Sequence, residues 1–367
     1  MMRGLTLTTT TDTESASSNL GLLEQLDQLA TGFPGGMNDS LNFVARNSED
    51  PQLLNCWGDL FLQRFMESRK EENIGNAISA YELAIGMVST DHEKYGGYIG
   101  DTGLAWLRRF EVFGNIRDID RAISLLEIAV SFTPEGHADL PPRLGILGIS
   151  FQSRFERTGD LTDIESAISN KQRAIEPTPP GHANLPSLLN NLGTSFQSRF
   201  KRTGDLADIE SAISNHQRAV ELTPPGHADL PSRLNNLGSS FASRFERIGD
   251  LADIESAISN QQCAVELTPP GHANLPPWLN NLGTSFASRF ERTGDLADIE
   301  SAISNFQRAA KLTPPGHAHL PSLLNNLGNS FQSRFQRTGD LADIERAVSN
   351  KQRAVRSEER RVGKECA

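Results

Sequence analysis

The sequence contains few cysteines and no long apolar run. Its 367 residues include three cysteines, Cys56, Cys263 and Cys366, which match neither a metal-ligand spacing nor an even disulfide framework. We therefore expect no structural metal, and we expect a reducing, cytoplasmic setting. Since no stretch approaches the roughly 20 apolar residues that a membrane-spanning helix needs, we expect no membrane partner either.

The chain also lacks an excess of positive charge and the common catalytic motifs. Its formal net charge is -11, which argues against a phosphate-backbone partner, so we expect no binding of nucleic acid. No phosphate-binding loop, Gly-x-Ser-x-Gly sequence or His-Glu-x-x-His sequence is present. The sequence therefore predicts a protein that is not an enzyme and that uses no cofactor.

What the chain does contain is a 45-residue unit repeated almost unchanged. The tripeptide Gly-Asp-Leu recurs at this spacing, beginning at Gly159, Gly204, Gly249, Gly294 and Gly339. Residues 204–248 and 249–293 differ at only seven of 45 positions. Columns of glycine, phenylalanine and alanine extend the period back to Gly58, Phe65 and Ala77, which gives seven copies. Such a period is typical of stacked, quasi-one-dimensional repeat folds.

Each copy contains two predicted helices, and the fourth copy is a good example. The first helix starts near Pro186, because proline suits the first helical position, and Gly204 ends it in a left-handed conformation. Asp205 caps the second helix, which Pro224 prevents from continuing. We therefore predict an all-α fold, a right-handed superhelical solenoid of about seven 45-residue helix-turn-helix repeats over residues 51–355.

The two ends of the chain do not follow the repeat. Residues 1–19 are rich in Ser and Thr and predict a disordered tail. Residues 20–50 predict N-terminal capping helices, because Leu22, Leu23, Leu26 and Leu29 lie at helical spacing. After Val355 the pattern stops in mid-unit, and residues 356–367 resemble a translated sequencing adapter. We interpret those last residues as a non-native tail.

The spacing within the unit resembles that of the tetratricopeptide repeat (TPR). The positions that match its Leu-Gly pair, aromatic residue, two alanines and closing proline are Leu192-Gly193, Phe196, Ala212, Ala219 and Pro224. The family's first-helix Trp is replaced by Leu189 and its counterparts. Its second-helix aromatic position varies from copy to copy, as Tyr81, Leu126, Lys171, His216, Gln261, Phe306 and Lys351.

The motif Leu-Asn-Asn-Leu-Gly resembles the long TPRs of kinesin light chains. Together with Thr-Pro-x-Gly-His, it resembles still more closely the extended TPR arrays of mushroom-forming fungi. Those arrays often precede a caspase-like CHAT peptidase domain. The resemblance implies a scaffold that binds an extended peptide or a partner domain on its concave face. It leaves open a second hypothesis, a sensor or regulatory region of a larger peptidase or signalling protein whose catalytic domain is absent from this chain. A purely structural spacer is a third, and the oligomeric state stays open.

Paired asparagines mark the candidate binding face. Ser187, Asn190, Thr194 and Gln197 share a polar but uncharged helix face, whereas a solvated face usually carries Lys and Glu. An amide both donates and accepts, so it can hold an extended peptide backbone in a bidentate way. The predicted peptide-binding residues are Asn190, Thr194, Asn235, Ser239, Asn280, Thr284 and Asn325. Alternatively, these amides bond across to adjacent helices, and both interpretations stay open.

Histidine and arginine form two further columns. One histidine per copy, with copies about 10 Å apart, cannot converge on one zinc ion, so a metal ladder is disfavoured. We predict instead that His137, His182, His227, His272 and His317 stabilise the Pro-Gly-His turns. The arginine column, from Arg154 to Arg334, predicts ion pairs with the equivalents of Asp208 and Glu210 on the second helix, with an anion clamp as the alternative.

Overall fold

A computed structural model describes residues 50–365, with side chains described up to residue 359. The predictions of a disordered tail and of capping helices fall on residues before Asp50, outside the described residues. The described residues form 14 helices and no strand, and 80% of them are helical, so the all-α repeat fold is confirmed. No helix in this part of the chain is both long enough and apolar enough to cross a bilayer.

The described residues belong to two compact units. The first unit ends at Thr178, and the second begins at Pro179. The first unit contains α1 (Pro51–Ser68), α2 (Glu71–Gly86), α3 (Tyr95–Phe113), α4 (Ile116–Ser131), α5 (Leu140–Thr158) and α6 (Leu161–Ile175). The second unit contains α7 (Leu185–Thr203), α8 (Leu206–Glu221), α9 (Leu230–Ile248), α10 (Leu251–Glu266), α11 (Leu275–Thr293), α12 (Leu296–Leu312), α13 (Leu320–Thr338) and α14 (Leu341–Glu365).

Consecutive helices form pairs, one pair for each copy of the repeat. The two helices of a pair, such as α7 and α8, pack against each other more extensively than either packs against the next pair. Within the second unit the first helices of neighbouring copies also contact each other, α7 with α9, α9 with α11, and α11 with α13. Side chains on these first helices can therefore bond from one copy to the next.

The helix ends follow from local chemistry, as the fourth copy shows. Pro186 lies in the first turn of α7, and Gly204 follows its last residue with φ of 75°. The N–H of Gly204 donates to the carbonyl oxygen of Phe200 at 2.7 Å, which ends the helix. Asp205 then accepts a hydrogen bond from the backbone N–H of Ala207 at 3.0 Å and caps α8. All three predicted boundary residues are confirmed.

The core of each copy lies between its two helices. Leu189, Leu192, Phe196 and Phe200, which form one stripe of α7 at i, i+3, i+7 and i+11, are all at most 9% exposed. Small residues let the two helices approach closely, because a Cβ on Gly193 would lie only 2.6 Å from the His216 ring.

The last helix runs beyond the point where the repeat pattern stops. α14 continues without a break from Leu341 to Glu365, past Val355. The interpretation of residues 356–367 as a non-native tail therefore rests on sequence alone and stays a prediction.

Candidate functional site

The predicted peptide-binding residues all lie on first helices of the second unit. They are Asn190 and Thr194 on α7, Asn235 and Ser239 on α9, Asn280 and Thr284 on α11, and Asn325 on α13. Their exposure differs, since Asn235 is only 7% exposed, Asn190 and Asn280 are half-buried, and Asn325 is exposed. We call these seven residues the amide face.

Asparagine side chains bond from each first helix to the next. Asn236 donates through Nδ2 to Oδ1 of Asn190 at 3.0 Å. Asn281 donates in the same way to Asn235 at 3.1 Å. The third bond joins Asn326 to Oδ1 of Asn280 at 2.9 Å. The alternative interpretation, in which these amides bond across to adjacent helices, is therefore confirmed for Asn236, Asn281 and Asn326, the second asparagines of three of the four pairs.

This arrangement leaves the first asparagines with a free donor. The Nδ2 groups of Asn190, Asn235 and Asn280 donate to no acceptor among the described residues, whereas each Oδ1 is already engaged. Because an amide oxygen can accept two hydrogen bonds, a bidentate grip would require each Oδ1 to accept a second one, and such a grip stays a prediction. Each amide can still donate one hydrogen bond to a ligand.

The hydroxyl groups one turn later have the opposite character. Thr194 donates to the carbonyl oxygen of Asn190 at 3.0 Å. Ser239 donates to Asn235 at 2.8 Å, and Thr284 to Asn280 at 3.0 Å. Because each hydroxyl proton is used within its own helix, the oxygen is left as an acceptor. The fourth, fifth and sixth copies thus each offer one amide donor and one hydroxyl acceptor.

The corresponding positions of the first unit do not repeat the amide face: the asparagine position is Asn55, Gly100 and Gly145, and the threonine position is Asp59, Leu104 and Ile149. Asn55 occupies the asparagine position and donates through Nδ2 to Asp101 at 3.1 Å. Asp59 occupies the threonine position and accepts from the hydroxyl of Tyr81 at 2.8 Å. Desolvation raises the pKa of the Asp101 carboxyl, and the nearby Asp59 charge raises it further. The uncharged amide face is therefore a property of the second unit.

The arginine column forms the predicted ion pairs. Arg199 donates to both carboxylate oxygens of Asp208, through Nε at 2.9 Å and Nη2 at 2.6 Å. Its guanidinium also lies 5.6 Å from the centre of the Phe196 ring. The same Arg–Asp pair recurs as Arg154–Asp163, Arg244–Asp253, Arg289–Asp298 and Arg334–Asp343. Because these guanidinium groups are engaged by Asp, the geometry favours the ion-pair ladder over an anion clamp.

The histidine column stabilises the turns between copies, as predicted. The backbone N–H of Asn184 donates to Nδ1 of His182 at 3.2 Å, and that of Asp229 donates to His227 at 3.1 Å. His137, His272 and His317 each accept a bond from the residue two places later in the same way. Among the described residues, no group of three His, Cys, Asp or Glu side chains could hold a metal ion.

Sequence reasoning missed the importance of the variable second-helix position. Side chains there fill the gap left by the first-helix glycine of the same copy, and six of the seven are at most 3% exposed. Burial lowers the pKa of Lys171 to about 7 and that of His216 to about 4. The sequence could have revealed that these side chains pack against the glycines, because the residue at this second-helix position follows the first-helix glycine by 23 positions in every copy.

Comparison with known proteins supports the fold and nothing finer. No protein-family model matches the chain, and no curated protein resembles it in sequence. The C-terminal part of a TPR repeat-containing protein from Cytophaga hutchinsonii is similar in structure, with a TM-score of 0.53, 13% identity, and coverage of 82% of this chain and 98% of that one. A chain of the APC/C hetero-tetramer Cut9-Hcn1 has a TM-score of 0.52 and 17% identity, over 86% of this chain and 47% of that one. The chain therefore has a TPR-like helical repeat fold, and its match covers about half the length of that second chain.

Proposed function

We propose that this protein is an interaction scaffold whose amide face binds an extended peptide segment of a partner protein. Repeat proteins of this architecture use extended surfaces formed by many copies to bind their partners. The observation that carries the proposal is the free Nδ2 donor on Asn190, Asn235 and Asn280, each with a hydroxyl acceptor one turn away.

An extended peptide matches this pattern because its backbone alternates carbonyl acceptors and N–H donors. An amide nitrogen of the face would donate to a peptide carbonyl, and the following hydroxyl oxygen would accept from a peptide N–H. Each such bond contributes only about 0.5–1.5 kcal/mol, so one copy binds weakly. Several equivalent copies engaged by one peptide add their contributions, because the later contacts form within the same complex.

The test replaces the free donor while preserving the bonds between helices. Asn235→Asp and Asn280→Asp keep an oxygen for Asn281 and Asn326 but replace each Nδ2 donor by an acceptor. Peptides are selected against the full wild-type chain from a displayed library of unstructured sequences, and their affinities are measured by fluorescence anisotropy. Losing two hydrogen bonds predicts binding about 5- to 150-fold weaker.

The matched control adds the same charge elsewhere. Gln262→Glu and Gln307→Glu place two carboxylates on exposed second-helix positions, away from the amide face. This control should bind the selected peptides as tightly as the wild type does. The proposal fails if the control and the amide-face variant weaken binding equally, or if the amide-face variant binds normally while its helicity is unchanged.

The regulatory hypothesis, in which the array serves a CHAT-type peptidase or a signalling protein, stays a prediction. Genomic or transcript sequence beyond codon 355 tests it directly. A downstream domain with a His and Cys dyad would support it, and an early stop codon would count against it.

A further inference from the structure

The copies differ most consistently at a buried position. We call the seven residues that follow each first-helix glycine by 23 positions the variable residues; they are Tyr81, Leu126, Lys171, His216, Gln261, Phe306 and Lys351. No two neighbouring copies share the same variable residue, although copies such as residues 204–248 and 249–293 are otherwise almost identical. Six of the seven are at most 3% exposed, so the differences lie between helices and not on the surface.

The variable residues are held tightly in place by the glycines. A Cβ on Gly238 would lie 2.7 Å from Cγ of Gln261, and one on Gly283 would lie 2.9 Å from the Phe306 ring. A side chain at either glycine would collide with the variable residue, so the variable residue occupies the space that the glycine leaves. A variable residue is therefore matched to the first helices that surround it.

Polar variable residues find specific partners on those first helices. His216 bonds through Nδ1 to Oγ of Ser240 in the next copy at 2.9 Å. Gln261 accepts from Ser285 at 2.7 Å. When the variable residue is Phe306, the corresponding serine, Ser330, donates instead to its own helix at 2.9 Å. The serine position thus adapts to either chemistry.

Besides the variable residue, a second position also differs among the copies, although it changes at only three of the six steps from one copy to the next. It lies 19 residues earlier, on the first helix of the same copy, and is occupied by Leu62, Leu107, Gln152, Gln197, Ala242, Ala287 and Gln332. Both lysine copies have glutamine there, and Lys171 donates to Gln152. Lys351 donates in the same way to Gln332 at 2.7 Å. The bulky Phe306 is matched by the small Ala287.

Nearly identical copies carry a folding hazard that this pairing counters. Helices from different copies can pair in the wrong order or between molecules, because most of their contacts are interchangeable. In a pairing shifted by one copy, Lys351 would face Ala287 and lose its glutamine acceptor. Burying an ammonium group without its partner is strongly unfavourable. Pairing Phe306 with Gln332 would similarly bury a polar amide against an aromatic ring.

We infer that the variable residue and its first-helix partner, 19 positions earlier, specify the order in which the copies pair during folding. The combination of the two residues differs between neighbouring copies. It lies between the two helices of a copy, where a helix from another copy would have to pack if the pairing were shifted. The surface is thereby free to stay identical from copy to copy, while the interior distinguishes the copies.

The test makes three neighbouring copies identical and compares them with a shuffled array. The uniform array carries Gln197→Ala, His216→Phe and Gln261→Phe, so that the fourth to sixth copies all contain the Ala–Phe pair. The shuffled array carries Gln197→Ala, His216→Gln, Ala242→Gln and Gln261→His, which exchanges the pairs of the fourth and fifth copies. Full chains are unfolded in urea and refolded at several protein concentrations.

Two measurements report the outcome. Light scattering after size exclusion gives the fraction of recovered monomer, and hydrogen exchange gives the protection of each helix. We expect the shuffled array to refold like the wild type. The uniform array should lose at least half of its monomer to oligomers or to monomers with altered protection, and the loss should grow with concentration.

A second uniform array distinguishes misassembly from a loss of folding that the phenylalanine substitutions themselves could cause. It carries Ala242→Gln, Gln261→His, Ala287→Gln and Phe306→His, so that the same copies all contain the Gln–His pair. Both uniform arrays should misassemble, although their interiors differ in chemistry. The inference is overturned if either uniform array refolds like the wild type, or if the shuffled array misassembles to the same extent.

Discussion

Replacing Gly238 by alanine should separate α9 from α10. A Cβ at this position would lie 2.7 Å from Cγ of Gln261 and 2.9 Å from the carbonyl oxygen of Ala257. Since the second contact is with backbone, no side-chain rotation can relieve it, and overpacking of this kind costs about 1–3 kcal/mol. The higher helix propensity of alanine offsets about 1 kcal/mol of this cost. We therefore expect a net loss of about 0–2 kcal/mol.

The control is a helical glycine with open space around it. No atom lies within 4 Å of the Cβ that Gly75→Ala would add in α2, so this variant should gain about 1 kcal/mol from helix propensity. Native-state hydrogen exchange is the assay, because repeat arrays need not unfold in a single step. Exchange should become faster in α9 and α10 for Gly238→Ala and slower in α2 for Gly75→Ala. Equal protection by both substitutions would refute the packing argument.

Three further predictions concern charge, pH and thiol reactivity. Asp253→Asn weakens the two bonds with Arg244, at 2.8 and 2.5 Å, and should lower the free energy of unfolding in urea by about 1–3 kcal/mol; an unchanged midpoint would show that the pair contributes nothing. Burial holds the pKa of His216 at about 4, below its usual 6.5, so the unfolded chain binds protons more readily and stability falls as the pH drops from 6.5 to 4. The full loss is on the order of 3 kcal/mol, and the difference in stability between the wild type and His216→Gln should follow it over this pH range, because groups such as Asp101 contribute equally to both proteins. Cys263 is exposed and should react with a thiol reagent in the native protein, whereas Cys56 is buried, with its pKa raised to about 11, and should react only after unfolding, as peptide mass mapping can show.

The helix boundaries could be predicted because they depend on neighbouring residues. Pro186, Gly204 and Asp205 act on the backbone within one turn, so their chemistry alone determines where α7 ends and α8 begins. The Arg199–Asp208 pair was also within reach, since the two residues lie nine positions apart across one short turn. The 45-residue period then carried each of these conclusions to the other copies.

The bonding of the amide face could not be predicted in the same way. The bond from Asn236 to Asn190 joins residues 46 positions apart, one more than the period, and depends on how neighbouring first helices lie side by side. The sequence shows two equal asparagines in each of the last four copies, and only the packing reveals that Asn236, Asn281 and Asn326 are structural donors whereas Asn190, Asn235 and Asn280 keep a free donor. Whether the amide face binds a peptide stays a prediction.

The packing role of the variable residues was not predicted, because the sequence was compared with the TPR pattern at this position. An aromatic residue was expected at this position, so His216 and Lys171 counted as departures from the pattern. Their significance depends on a glycine on the facing helix, which gives a buried place to almost any side chain. Packing across the pair, and not local propensity, decides what this position does.

The serine that faces each variable residue has a consequence for how such an array can diversify. A hydroxyl group can bond to an imidazole, as Ser240 does with His216, or turn back to its own helix, as Ser330 does beside Phe306. A newly duplicated copy can therefore change its interior residue without a simultaneous change at the serine. Because the serine can stay unchanged, a single substitution at the variable residue is enough to make a duplicated copy differ from its neighbours. An array that grows by duplication can therefore diversify one substitution at a time.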